Sequence, residues 1–155
     1  MANEDNVPLH CLSYVSTSNI PAEGVTDFCD SIMRAAAVTN AKLNITGYLL
    51  YRAGYFIQLL EGSRDNLDYL YGIISTDSSH RDLKILFFNE IQERYFKHWS
   101  MGYSVASKEE DEVLSKFLED KIEKEGVTLN PKDIIDLINH VRQFTLKTKK
   151  DPPAT

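Results

Sequence analysis

Apolar and polar positions along the chain follow two different periods, and each change of period marks an element. Leu9 to Ser16 alternates, with Leu12, Tyr14 and Ser16 on one face, and predicts a strand. Thr17 to Pro21 reads as a loop. From about Ala22 to Ala37, Val25, Phe28, Cys29, Ile32, Met33 and Ala36 keep the i, i+3, i+4 spacing of a helix. Thr39 to Asn44 breaks that spacing and leads into a second strand, Ile45 to Tyr51. Arg52-Ala53-Gly54 is short enough for a hairpin turn, so Gly54 to Gly62 predicts a third strand, antiparallel to the second. Ser63 suits the N-cap of a helix from Arg64 to Asp77, whose apolar stripe is Leu67, Leu70, Tyr71 and Ile74. A polar turn, Asp77 to His80, follows. Leu83 to Phe88 and Ser100 to Val105 predict two further strands, joined through an irregular turn at Glu93 to Trp99.

The order βαββαββ predicts an α+β fold: a ferredoxin-like mixed sheet with two helices on one face. Beyond it the pattern turns helical. Val113, Leu114, Phe117, Leu118 and Ile122 mark an amphipathic helix ending near Gly126. Asn130-Pro131, an N-cap followed by Pro at the first helical position, opens another through about Leu146. Its apolar face (Ile134, Ile135, Leu137, Ile138, Val141, Phe144) is broad enough to cover the sheet's open side or to dock on a partner. A homo-oligomer is expected unless the chain hides that face against its own sheet. The expected organisation is one domain over 8–105, a two-helix extension over 106–147 and a disordered tail over 148–155.

Composition narrows the function classes. The 155 residues carry a net charge of −6, which argues against a generic basic nucleic-acid surface. No apolar run approaches the ~20 residues that span a bilayer, and the polar N-terminus is no signal peptide, so a cytoplasmic protein is expected. Cys11 and Cys29 read as buried free thiols in preference to a disulfide. There is no Cys/His cluster at metal spacing, no Gly-rich phosphate loop and no Ser/His/Asp arrangement.

One residue does not fit its surroundings. Gln58 lies in the middle of the third strand, Gly54-Tyr55-Phe56-Ile57-Gln58-Leu59-Leu60-Glu61-Gly62, and shares a face with Phe56 and Leu60. A buried amide without partners costs roughly 1–3 kcal/mol. Tyr14 is the natural partner, because first and third strands are neighbours in a ferredoxin-like order and a buried phenol needs one too. By itself this pair is compatible with a purely structural bond.

The series Tyr14, Asn40, Asn44-Ile45-Thr46-Gly47, Phe56 to Gly62 and Trp99-Ser100-Met101 resembles the BLUF family of blue-light sensors using flavin, over roughly residues 8 to 105. The resemblance implies a ring pocket between the two helices, lined by Ile32 and Ile74, with Phe56 as a wall. It implies that Asn40 bonds the ring edge, that Gln58 bridges Tyr14 and the flavin, and that Trp99 and Met101 form the mobile pair reporting the switch. The implied cofactor is FAD, with FMN or riboflavin able to fill the same ring pocket. The implied partners are the flavin and a downstream protein or fused effector, and no catalytic turnover is expected of the chain itself.

Two positions depart from the family pattern. The segment Asp77-Ser78-Ser79-His80 lacks the arginine of Asp-x-Arg-His, which leaves Asp77 and His80 as contacts by position only. Thr39 precedes the ring-binding asparagine, where Asn or His is common. An alternative is the sensory piece of a light-regulated nucleotide cyclase or cyclic-dinucleotide phosphodiesterase. A third possibility, an acyl-phosphate hydrolase or small-molecule module, would want an arginine in the first loop, and Ser16 to Ile20 has none.

Overall fold

The computed structural model describes residues 7–97, 100–106, 112, 116 and 132–136. Its elements are β1 (Leu9–Ser18), a 3-10 turn (Ala22–Gly24), α1 (Val25–Lys42), β2 (Thr46–Arg52), β3 (Tyr55–Ser63), α2 (Arg64–Ser75), β4 (His80–Ile91) and β5 (Gly102–Val105). The strands form one sheet in the order β4-β1-β3-β2-β5. Every pairing is antiparallel except β2 with β5. This is the expected α+β, ferredoxin-like layer, with β5 added beside β2.

Both faces of the sheet are covered, so the central strands read as nearly unbroken apolar runs. On one face Leu12, Tyr14, Leu49, Tyr51, Phe56 and Leu60 pack with Val25, Cys29 and Met33 of α1 and Leu67 and Leu70 of α2. On the other, Cys11, Tyr48, Leu50, Ile57, Leu59, Phe87 and Ile91 pack with Phe96, Ile134 and Ile135. The chain's own sheet therefore takes up two of the apolar side chains that the sequence offered either to the open face or to a partner. The rest of that helical extension, and the tail at 148–155, lie outside the described residues. Cys11 and Cys29 are free and buried, one in each core layer. Among the described residues no helix is long and apolar enough to cross a membrane.

The turns follow local chemistry. Ala53 and Gly54 both have positive φ, 41° and 93°. That is the two-residue hairpin whose twist matches its strands. Ser63 caps α2 as expected, accepting the Asn66 backbone N–H at 3.2 Å.

The end of α1 differs from the sequence reading. The helix runs through Thr39 and Asn40 to Lys42 and closes in a Schellman motif: Ile45 N–H donates to Asn40 O (2.8 Å) and Asn44 N–H to Ala41 O (3.2 Å). Asn44, at φ 53°, is the left-handed residue that stops it. Thr39 and Asn40 are modest helix formers, and the tertiary fold carries the helix through them. α2 is two residues shorter than expected, and β4 begins at His80 and not at Leu83. Between β1 and β4 the register slips twice, once beside Tyr14 and once beyond Val15. In each case β4 carries the extra residue, and Asp82 at the second slip has φ 55°. Such bulges re-aim side chains, and these flank Tyr14 and His80.

Gly47 allows β2 and β3 to approach: a Cβ there would lie 2.2 Å from Leu59 O. The obstacle is main chain in the sheet centre and cannot swing aside. Gly47→Ala is expected to cost about 3 kcal/mol, read as a lowered urea midpoint at unchanged slope.

Candidate functional site

A cavity of about 270 Å³ opens between α1, α2 and the sheet. Tyr14, Ile32, Thr39, Asn40, Phe56, Gln58, Ile74, Asp77 and His80 all line it, so one site gathers nine of the positions singled out from sequence. Met101 joins them through Gln58. Trp99 lies outside the described residues.

The floor is a hydrogen-bonded chain. Tyr14 and Gln58 face each other across the β1–β3 ladder. The Tyr14 hydroxyl donates to Gln58 Oε1 at 2.5 Å, with both side chains buried. Gln58 Nε2 donates to Met101 Sδ at 3.5 Å. A thioether is a weak acceptor, and an amide nitrogen carries two N–H donors. The Gln58 amide thus has donor capacity to offer a ligand in the cavity. Burial, followed by the nearby Tyr71 and Asp77, pushes the Tyr14 phenol above its ordinary range, so it stays protonated at neutral pH.

Asn40 is placed by the last turn of α1, whose carbonyl is fixed in the Schellman motif. Its side-chain Nδ2 donates to Ser100 O at 3.0 Å, which ties the helix end to the entry of β5. The walls are apolar. Ile32 and Ile74 come from the two helices, and Phe56 rises from β3 with Phe28 beside it, ring centroids 6.0 Å apart.

His80 is buried at the far end. Its Nε2 lies 2.7 Å from Ile74 O and its Nδ1 2.8 Å from Ser16 Oγ. A carbonyl only accepts, so Nε2 carries the proton, and in the neutral ring Nδ1 accepts from the serine. Its ring meets Tyr14 and Phe56 edge-on. Asp77 accepts the Ser79 backbone N–H at 2.8 Å. Hydrogen bonds from Ser79 hold its carboxyl below the usual range. Ser79, where the family pattern has arginine, thus serves that Asp77 turn. Arg81 is turned away: it bonds Asn19 Oδ1 and Ser18 O at the end of β1. Among the described residues no Lys or Arg lines the cavity and no cluster is fit for a metal.

Sequence reasoning missed several lining residues, among them Phe28, Ala35, Ala36, Leu49 and Ser79. The Ala35-Ala36-Ala37 run was the available signal, since small side chains on a core-facing helix leave room for a ligand.

An apolar slot with carboxamides on its floor and, among the described residues, no cation on its walls suits a flat, uncharged heterocycle that has both acceptor and donor edges. The class this defines is a domain that binds such a ring between two helices and a sheet. The family model for BLUF, sensors of blue light using FAD, matches residues 9–102, and the chain belongs to that family.

Its relatives include the photoactivated adenylate cyclase beta subunit of Euglena gracilis, 31% identical over 93 residues, which are 60% of this chain and 11% of the relative. The chain therefore spans about a tenth of the length of the curated relatives it matches. Similar solved structures include the BLUF protein BlrB in its dark state (33% identity, TM-score 0.67, covering 89% of this chain and 98% of that one). A bacterial light-regulated adenylyl cyclase matches at 26% identity and TM-score 0.66 over 72% of this chain and 34% of its own. The chain is a flavin-binding blue-light sensor by family and fold.

The hydrogen bonds of His80 are open to test. Nitrogen chemical shifts of the neutral ring are expected to show the proton on Nε2, and Ser16→Ala is expected to leave that tautomer in place.

Proposed function

We propose that the chain senses blue light through the Tyr14–Gln58 pair and passes the event to β5 and the C-terminal helices, with no turnover of its own. The observation that carries this reading is the buried chain Tyr14 O–H to Gln58 Oε1 and Gln58 Nε2 to Met101 Sδ, which links the cavity floor to the first residues before β5.

Asn40 and Gln58 would hold the ring through their carboxamides, with Ile32, Ile74 and Phe56 supplying apolar walls. Thr39, Asp77 and His80 serve the rim, where Asp77 and Thr39 suit hydroxyl groups of the cofactor's chain. Bound flavin supplies a strong one-electron oxidant when it absorbs blue light. Tyr14 would be the donor: its electron would pass to the excited flavin while its proton moved along the existing bond to Gln58 Oε1, and both would return to the phenol on recombination. An amide relays that proton because it accepts at oxygen and releases at nitrogen. On return Gln58 rests rotated or tautomerised, with its contact to Met101 changed. Met101 and Trp99 then report the change to the output surface. The shift in output is bounded by the free energy that distinguishes the two arrangements at the site.

FAD is the proposed physiological flavin, the one named for the family. Among the described residues no cation lines the cavity, so recognition would rest on the ring and FMN and riboflavin would compete for the site. The output partner is a separate protein or a fused effector. The cyclase relatives favour a second reading, in which this same sensor governs a nucleotide cyclase or cyclic-dinucleotide phosphodiesterase joined to it.

The purified protein is expected to be yellow, with the absorption bands of oxidised flavin moving slightly to the red under blue light and returning in the dark. Tyr14→Phe and Gln58→Leu are each expected to keep flavin and lose the shift. A normal photocycle in either variant refutes the relay, and a correctly folded protein purified without chromophore refutes the sensor. Asn40→Ala is expected to weaken flavin affinity about tenfold, the value of one to two lost hydrogen bonds, measured by flavin release on dilution.

A further inference from the structure

Glu61 is the one buried acid among the described core residues, with no exposed surface, and the light-sensing chemistry does not use it. It sits three residues beyond Gln58 on β3 and on the opposite face of the sheet. Its carboxylate is fully engaged. Oε2 accepts the Tyr95 backbone N–H at 2.6 Å, and Oε1 accepts the Phe96 N–H at 2.9 Å and the Thr46 hydroxyl at 3.0 Å. Arg94 closes the same knot, donating to Thr46 Oγ1 (2.9 Å), Glu61 O (3.0 Å) and Asn44 O (2.7 Å).

What this knot holds is the crossover. β4 lies at one edge of the sheet and β5 at the other, so the chain after Ile91 must pass the ends of β1, β3 and β2 before it pairs again. Glu61 grips it midway. Phe96, next along, is buried and stacks on Tyr48 with ring centroids 5.5 Å apart. The Tyr48 hydroxyl reaches Ser104 Oγ of β5 at 2.5 Å. Ser100 O and Met101 Sδ, at the far end of the crossover, are held by Asn40 and Gln58 on the cavity side. The segment is thus pinned on one face by a carboxylate and on the other by the two amides of the flavin site.

We propose that Glu61 is a positioning residue: the fixed anchor that sets Ser100 and Met101 against Asn40 and Gln58 and against which the crossover is strained when Gln58 rearranges. The kinetic half of this proposal rests on the flavin relay described above; the anchoring half does not. Burial pushes the Glu61 carboxyl up, and the bonds from Tyr95, Phe96 and Thr46 with the Arg94 charge oppose that by favouring the ionised form, whose charge-assisted bonds to backbone N–H groups are shorter and stronger than neutral ones. Glutamine is no substitute. It offers one oxygen to three donors and turns an N–H₂ group toward the Tyr95 or Phe96 amide.

The test uses the flavin-loaded full chain, with Glu61→Gln and the milder Thr46→Val, which deletes only the hydroxyl shared by Glu61 and Arg94. Amide hydrogen exchange in the dark is expected to quicken about tenfold at Tyr95 and Phe96 and also across 100–106, while the red shift survives. After illumination, release of the strained anchor is expected to slow dark recovery about tenfold and to reduce the light-induced change in fluorescence of Trp99, the single tryptophan. Faster exchange at 95–96 with 100–106 unchanged overturns the proposal. So does recovery within about twofold of the parent protein in a variant whose 95–96 amides are deprotected. If Glu61→Gln does not fold, Thr46→Val decides by the same two criteria. A parent protein that binds flavin without any shift refutes the relay alone, and the exchange experiment still decides the anchor.

Discussion

A carboxamide buried in the central strand of a sheet is the constraint around which this molecule is organised. Gln58 has β1 on one side and β2 on the other, and its side chain enters the layer filled by the two helices. Leaving it unpaired there would cost kilocalories, and Tyr14, directly opposite in the ladder, removes most of that cost. The same placement makes the bond responsive. Burial keeps the phenol protonated, so Tyr14 stays the donor and Gln58 Oε1 the acceptor. In a low-dielectric layer any reorientation of the amide is felt strongly by its neighbours.

The walls around that bond are built for a neutral ring. Both helices contribute aliphatic side chains, small alanines leave the slot open, and Asp77, the one acid among the described lining residues, has its charge stabilised at the rim by the Ser79 turn. The cation that the family pattern places near this turn is replaced by Ser79, and Arg81 braces the end of β1 instead. Among the described residues the cavity lining therefore offers packing surface and carboxamide hydrogen bonds rather than a positive charge.

The two faces of β3 divide the labour. Toward the helices, Gln58 and Phe56 line the cavity. Toward the open side, Ile57 and Leu59 build a second core, and Glu61 fastens the crossover that leads to β5. A change at Gln58 thus has a short physical route: through Met101 and Ser100 into a segment whose other end cannot move freely. The parallel edge strand β5, four residues long, is the shortest element in the sheet. It is the element that a small change in anchoring can shift at least cost.

Local chemistry in the sequence was enough to place the strands, the cap at Ser63, the hairpin at Ala53-Gly54 and the two-faced pattern of β3. Each of these depends on residues within a few positions of one another. The pairing of Tyr14 with Gln58 was also legible, because two polar groups on inward faces of neighbouring strands have few other ways to be satisfied. Tertiary structure decided the rest. Asn40 belongs to α1 because Asn44 supplies the left-handed stop and Ser100 receives its amide, 60 residues away. Ser79 rather than a cation serves the cavity rim, and the small alanines become a binding wall only once α2 lies opposite. Glu61 carried no signal of its function, since two of its partners are backbone N–H groups 34 and 35 residues distant, which every residue but proline possesses. Side-chain type and spacing encode what neighbours along the chain do; contacts made by the main chain across the fold exist only once the sheet has brought those segments together.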